Sequence, residues 1–172
     1  MIIKKTPSKR RRIFVFIDAS NIIYGASELG WKVDFEKLIN YLKERFGAKK
    51  VFYYAGLDPE NKKQLKFYEK LQEFGFILRL VPLKIFKGGI RKGDVDSRLT
   101  FDLMKLEKEY DEAIVMTGDG DYFWVLEYLL KRKMIWLFSF SRRTAKELKK
   151  LVGDRFANLE SLRKILELKK TR

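Results

Sequence analysis

Ala113-Ile114-Val115-Met116-Thr117-Gly118-Asp119-Gly120-Asp121-Tyr122-Phe123 joins an apolar run of strand length to a segment, Tyr122 to Leu130, whose apolar residues follow a helical spacing. Two carboxylates therefore sit on a glycine-rich turn where a buried strand hands over to a helix. Like charges this close resist joint ionisation. A divalent cation removes the conflict, and hard cations such as Mg²⁺ prefer carboxylate oxygens. An ordinary Asp-Gly turn with Asp121 capping the helix has the same local sequence. The decision rests on where the other acids fall.

The same arrangement recurs at the front of the chain. Ile13-Phe14-Val15-Phe16-Ile17 is a continuous apolar run rich in β-formers, as in a strand buried on both faces. Asp18 ends it, and Ala19-Ser20-Asn21 and Ile22-Ile23-Tyr24 follow. Asp18 can serve as a cap, although Ser20 offers the same service. The carboxyl end of a buried strand is also where open α/β sheets place their chemistry.

Between these two turns the elements alternate. Gly25 to Lys32 reads as a loop or short helix. Asp34 opens a helix with Phe35, Leu38, Ile39, Leu42 and Phe46 on one stripe, and Gly47 closes it. Val51 to Ala55 is a second strand. Asp58-Pro59-Glu60 predicts a helix start with Pro at the first position. Leu65, Tyr68, Leu71 and Phe74 form its buried stripe, and Phe76 to Val81 is a third strand. Lys84 to Gly93 has the least core-like composition of the interior. There Lys87, Arg91 and Lys92 are spaced by glycines, which permit close backbone approach while the cations reach phosphate oxygens. A flexible loop reads the same way, and the glycine spacing of a Walker A loop or dinucleotide fingerprint is absent. Asp94-Val95-Asp96 opens the next helix, with Asp94 as its cap and Asp96 in the first turn near the positive helix end. Asp102 falls mid-helix, where Asp is a poor helix former, facing either solvent or a buried polar contact. Beyond the Asp119 turn, Met134 to Phe140 is a fifth strand. Ser141 to Thr144 opens a helix with Leu148 and Leu151 inward, and a last helix runs from about Leu159 to Leu168.

Composition narrows the chemistry. The chain has 172 residues, enough for one domain with a substantial core, and 46% of them are hydrophobic. No apolar run approaches the ~18 residues of a membrane span. There is no secretory signal pattern. The absence of Cys and His excludes disulfides, thiolate or imidazole zinc sites, and serine–histidine or cysteine–histidine catalysis. Any metal is left to oxygen ligands. A cytoplasmic protein is expected. The 38 basic residues against 23 acidic ones leave a net charge of +15, which points to a polyanionic partner, above all nucleic acid. Residues 1–11 read as a flexible basic arm, lying on phosphates or solvated as a tail. Lys131 to Lys150 forms a second basic region that includes Arg142 and Arg143.

Strands alternating with helices argue for a parallel sheet with helices on both faces. In such a sheet the strand carboxyl ends share one edge. If the first and fourth strands are neighbours, Asp18, Asp96, Asp119 and Asp121 meet at the crevice between them.

Three stretches then take on a family resemblance: Ile17-Asp18-Ala19-Ser20-Asn21, Lys92-Gly93-Asp94-Val95-Asp96 with Asp102 beyond it, and Thr117 to Phe123. In this order they resemble the three blocks of the NYN domain, a branch of the PIN-like nuclease superfamily. The resemblance runs from about Arg12 to Leu151. It implies residues 12–172 as a single NYN/PIN-like domain with a C-terminal helix. The fold would be a three-layer α/β sandwich around a mainly parallel five-stranded sheet of order 3-2-1-4-5. It implies a metal-dependent nuclease, usually acting on RNA, with Mg²⁺ or Mn²⁺ held by Asp18, Asp96 and Asp119 and by Asp121 as a fourth acid. Asn21 would orient water or substrate and Thr117 would support the site through its hydroxyl. Asp102 matches the pattern, and Tyr122 and Phe123 stand at an aromatic position that packs. The products implied carry a 5′-phosphate and a 3′-hydroxyl. Single-stranded RNA is the expected substrate, with Lys87, Arg91, Lys92, Arg142 and Arg143 on its backbone.

Three other readings compete. One is a PIN-like module that holds RNA or a protein partner without cutting. Another is a nuclease acting on DNA, since charge alone does not separate the two nucleic acids. The third is an aspartate phosphatase, which commonly needs a second Asp two residues after the first strand's, where this chain has Ser20. No membrane partner is expected, and a homo-oligomer is compatible with the sequence.

Overall fold

The structure, a computed structural model, describes residues 11–89 and 91–169, and at residues 85, 91 and 92 the backbone alone. Residues 1–10 of the expected basic arm lie outside the described residues. Arg11 and Arg12 are described, and both are anchored: Arg11 pairs with the buried Glu112 at 2.6 Å, and Arg12 with Asp111 at 2.8 Å.

The chain runs β1 (Ile13–Asp18), α1 (Ala19–Glu28), α2 (Phe35–Phe46), β2 (Ala48–Leu57), α3 (Lys62–Phe74) and β3 (Ile77–Pro82). A short hairpin of β4 (Lys84–Ile85) and β5 (Arg91–Lys92) follows, then α4 (Val95–Lys105), β6 (Glu112–Met116) and α5 (Phe123–Leu130). It ends with β7 (Met134–Ser139), α6 (Lys146–Val152), β8 (Phe156–Asn158) and α7 (Arg163–Leu166).

Six strands form one sheet in the order β3-β2-β1-β6-β7-β8, and every pairing is parallel. The expected order holds, and β8 extends it from five strands to six. That strand has three half-buried residues and no apolar run, so only its pairing with β7 declares it. The chain builds outward from β1 through β2 to β3, then returns along α4 to β6 on the other side of β1. This reversal opens a crevice at the carboxyl ends of β1 and β6.

All six residues of β1 are buried. Ile13, Val15 and Ile17 join one half-core with residues of α1, α2, α3 and α7. Phe14 and Phe16 join the other with residues of α4, α5 and α6. The period of two along a strand divides the side chains in this way. Emptying a fully buried position such as Phe16 would cost about 3–5 kcal/mol.

The local signals hold in most places. Asp34 caps α2 by accepting the Lys37 N–H, and Gly47 ends it in the left-handed region at φ 69°. Asp94 caps α4 by accepting the Ser97 N–H. The start of α3 differs from the Asp58-Pro59-Glu60 expectation. Asp58 spends its carboxylate on the Glu60 N–H two residues on, closing a local turn, and Asn61 caps the helix instead. Where a helix was expected at Ser141, a 3₁₀ turn over Ser141–Arg143 precedes α6. The last helix is likewise shorter, with a 3₁₀ turn over Leu159–Leu162 leading into α7.

Candidate active site

Three segments bring acids to the β1/β6 crevice. Asp18 is the last residue of β1, Asp96 lies in the first turn of α4, and Asp119 and Asp121 follow β6. Asp96, Asp119 and Asp121 each offer a carboxylate oxygen, and the three oxygens lie within 4.8 Å of one another. Oxygens bound 2.0–2.6 Å from one ion stand no more than about 5 Å apart, so this spacing fits a hard cation.

Asp18 is not one of these three. It is 4% exposed, and both of its oxygens accept hydrogen bonds. Its Oδ1 accepts the Asn21 backbone N–H at 3.3 Å, and its Oδ2 accepts Asn21 Nδ2–H at 3.3 Å and the Thr117 hydroxyl at 3.1 Å. Burial pushes the Asp18 carboxyl above the usual range, and the charge of Asp96 adds to this, while the hydrogen bonds from Asn21 and Thr117 oppose it.

Thr117 and Asn21 stitch the two turns together. Thr117 Oγ1 also accepts the Asp119 N–H at 3.2 Å, so one buried hydroxyl joins the Asp18 carboxylate to the Asp119 backbone. Asn21 Oδ1 accepts the Gly118 N–H at 2.9 Å. Gly118 in turn presses against the segment after β7. A Cβ there would fall 2.6 Å from the Arg143 carbonyl oxygen and 2.8 Å from Ser139 Oγ, so only glycine fits. The Gly118 carbonyl accepts the Ala145 N–H at 2.9 Å.

Asp121 does not cap the helix that follows. Asp119 caps the 3₁₀ turn over Gly120–Tyr122, its Oδ1 accepting the Asp121 N–H at 3.0 Å, and α5 starts from Tyr122 with no side-chain cap. Asp121 sits inside that turn with its side chain exposed.

Tyr122 does more than pack. It is completely buried, and its hydroxyl donates to Asp96 Oδ1 at 2.8 Å. Burial first, then the charges of Asp18 and Asp96, push this phenol far up, so it remains a donor. The sequence carried one hint of this: a hydroxyl on a core aromatic that needs a partner. Asp102 resolves to a buried polar contact. It is 3% exposed and accepts from the Tyr54 hydroxyl at 2.9 Å and Arg79 Nε at 3.1 Å.

An open cleft beside the acids is lined by Asn21, Gly118, Asp119, Arg142, Arg143 and Lys146, among others. Arg142 and Lys146 are exposed, and Arg143 pairs with Glu28 of α1. Lys87 is exposed on the turn between β4 and β5. The side chains of Arg91 and Lys92 lie outside the described residues.

Residues 12–160 match the family model of the NYN domain. The chain belongs to the NYN domain family. It therefore carries a PIN-like, nuclease-type domain, and the acid cluster lies within the matched span. The low amplitude and bright protein LabA of Synechococcus elongatus is 30% identical over 166 residues, covering 91% of this chain and 88% of that protein. A protein of unknown function from Vibrio parahaemolyticus shares the fold, with a TM-score of 0.79 at 23% identity over 95% of this chain and all of that one. Among the described residues no helix is long and apolar enough to cross a membrane.

Proposed function

We propose that this NYN domain is a metal-dependent endoribonuclease that hydrolyses phosphodiester bonds in single-stranded or unstructured RNA. The observation that carries the reading is the Asp96, Asp119 and Asp121 triplet, with oxygens within 4.8 Å, beside a cleft lined by Arg142, Arg143 and Lys146. The all-oxygen donor set suits Mg²⁺ or Mn²⁺. A bound ion of this class makes water more acidic and offsets charge on phosphoryl oxygens.

The chain supplies the rest. Asp96, Asp119 and Asp121 would hold the ion, and Asp18 would support them as a further acid of the site. The Tyr122 hydroxyl fixes one oxygen of Asp96, and Asp119 is fixed by its own cap and by Thr117. Asn21 uses one amide hydrogen on Asp18 and has a second to orient water or a phosphate oxygen. Arg142 and Lys146 hold the phosphate backbone next to the acids, with Arg143 released from Glu28 as RNA enters. Lys87 lies farther along the RNA path, and Arg91 and Lys92 follow it in sequence. No histidine base is required, and the chain has none. Hydrolysis leaves a 5′-phosphate and a 3′-hydroxyl.

The test is cleavage of end-labelled single-stranded RNA and DNA of matched sequence in Mn²⁺, Mg²⁺ and EDTA, by wild type and Asp119→Asn. RNA cutting that needs metal and disappears in the variant is expected. Tight binding without cutting under any metal would replace the enzyme with a non-cleaving RNA-binding module. Preference for the DNA strand would move the substrate class.

A further inference from the structure

Two aromatic rings stand open to solvent at the edge of the sheet that carries the acids. Trp124 is 76% exposed and Tyr24 is 62% exposed, more than any other large apolar side chain among the described residues. Neither position is arbitrary. Tyr24 follows Asn21 by three residues on α1, and side chains at that spacing share a helix face. Trp124 follows Asp121 by three residues, across the junction of a 3₁₀ turn and α5, where that spacing nearly eclipses. Each ring thus lies about one helical turn from a polar residue of the site.

The two rings flank the acids from different layers. Ile22 and Ala26 of α1 pack into one half-core, and Val125, Leu126 and Leu129 of α5 pack into the other. Trp124 and Tyr24 therefore rise on opposite sides of the sheet, with the carboxylates of the β1/β6 crevice between them. They do not form one continuous apolar patch. A flat protein partner spanning both would have to desolvate those carboxylates. Phe123 packs its ring edge-on against Trp124 at 5.3 Å and 89°, which steadies the indole. The cations of Arg142 and Lys146 line the cleft at the same edge.

We infer that Trp124 and Tyr24 are stacking platforms for the two bases flanking the phosphodiester at the acid triplet, so that the site takes nucleic acid with its bases unstacked. This rests on the nuclease reading and adds to it. Stacking on an aromatic side chain accepts any base, because every base has a π-face. It also requires a single strand, because the bases of a duplex are already stacked on one another. The platforms would set the register of the strand, while the basic side chains set its affinity for phosphate.

The test is fluorescence anisotropy with a short labelled oligouridylate in EDTA, and with the same oligomer made abasic throughout. Trp124→Ala and Tyr24→Ala are solvent-facing changes, and Trp124→Phe and Tyr24→Phe keep a ring. Each alanine variant is expected to weaken oligouridylate binding about tenfold, while the phenylalanine variants stay near wild type. The abasic oligomer should bind wild type and alanine variants alike. If wild type binds and both alanine variants bind as well, the platforms are refuted and the nuclease reading stands. An equal loss on the abasic oligomer would refute them too, since the loss would not be stacking. A wild type that neither binds nor cuts single-stranded RNA or DNA would remove the nuclease reading and this inference together.

Discussion

Asp102→Asn probes whether the buried Asp102 carboxylate of α4 holds Asp96, the acid proposed as a metal ligand, in place at the start of that helix. Asp102 lies less than two turns after Asp96. Its Oδ2 accepts the Tyr54 hydroxyl at 2.9 Å and Arg79 Nε–H at 3.1 Å, and Arg98 Nε stands 3.5 Å from Oδ1. Burial first, then the Asp102 charge, raises the Tyr54 phenol, so Tyr54 is the donor. The contact ties α4 to β2 and β3 at once, because Tyr54 and Arg79 are register partners. Breaking a fully buried ion pair costs about 3–5 kcal/mol. Here the side chains of Arg79 and Arg98 remain 32% and 46% exposed, so water takes up their charge when the carboxylate goes. Asparagine keeps one carbonyl oxygen for Tyr54. The loss reduces to charge-assisted hydrogen bonds becoming neutral or solvated, a net cost of about 2 kcal/mol. Against a total of roughly 5–15 kcal/mol, that is a large fraction.

Urea unfolding in EDTA at neutral pH should show this loss with an unchanged slope. Tyr54→Phe alone should cost about 1 kcal/mol, and the double variant less than the sum. Mn²⁺ titration of the folded Asp102→Asn chain should give weaker binding, since Asp96 rides on the loosened helix. A variant as stable as wild type would mean that desolvating Asp102 cancels what its partners return, and the clamp would be refuted. A destabilised variant with unaltered Mn²⁺ affinity would refute the link to Asp96 alone.

Gly118→Ala must displace either the Arg143 carbonyl or Ser139, so it should cost about 1–3 kcal/mol and weaken Mn²⁺ binding by moving Asp119. An unchanged melting temperature would contradict this. For Asp18, whose carboxyl is raised mainly by burial, the stabilising contribution is present below the unfolded value of about 3.9 and is lost as pH rises through the folded one. In EDTA, Asp18→Asn should therefore gain stability relative to wild type as pH rises from about 4 towards 7, and a pH-independent difference would count against it. Asp111 behaves oppositely: hydrogen bonds from Arg12 hold its carboxyl down to about 2, so its contribution is present above about 3.9 and fades as pH falls towards 2. Both partners are exposed, 51% and 42%, so the Asp111→Asn deficit in urea unfolding should stay below about 1 kcal/mol at neutral pH and close in acid.

The sheet was legible because its central strands are long apolar runs closed by acids, and buried parallel strands have no polar face to blur the pattern. The failures are local. Asp58-Pro59-Glu60 has the composition of a helix start, but an Asp carboxylate that captures the N–H two residues on makes a turn just as well. Asp119 and Asp121 are both capping residue types two residues apart, and only the 3₁₀ geometry selects Asp119. Asp102 was half legible. It lies three residues from the buried Leu99 and beside the buried Leu103, so the helical period places it inward. Its partners come from two strands whose mutual register no local pattern specifies.

That division explains why the acids of the site were easier to find than their roles. An acid at the end of a buried strand announces itself, because leaving a charge there is costly without a partner. What the partner is depends on contacts across the crevice. Asp18 meets three donors from Asn21 and Thr117. Asp96 meets the Tyr122 hydroxyl, and Asp119 and Asp121 meet each other's segment through one backbone N–H. The donors reach Asp18 on both of its oxygens, while each of the other three acids still contributes an oxygen to the cluster. Four carboxylates that look equivalent along the chain thus separate into one hydrogen-bonded across β1 and β6 and three whose oxygens lie within 4.8 Å of one another, the set proposed to share a cation. Asp18→Asn should accordingly leave more of the Mn²⁺ affinity than Asp119→Asn does, and equal losses would return Asp18 to the ligand set.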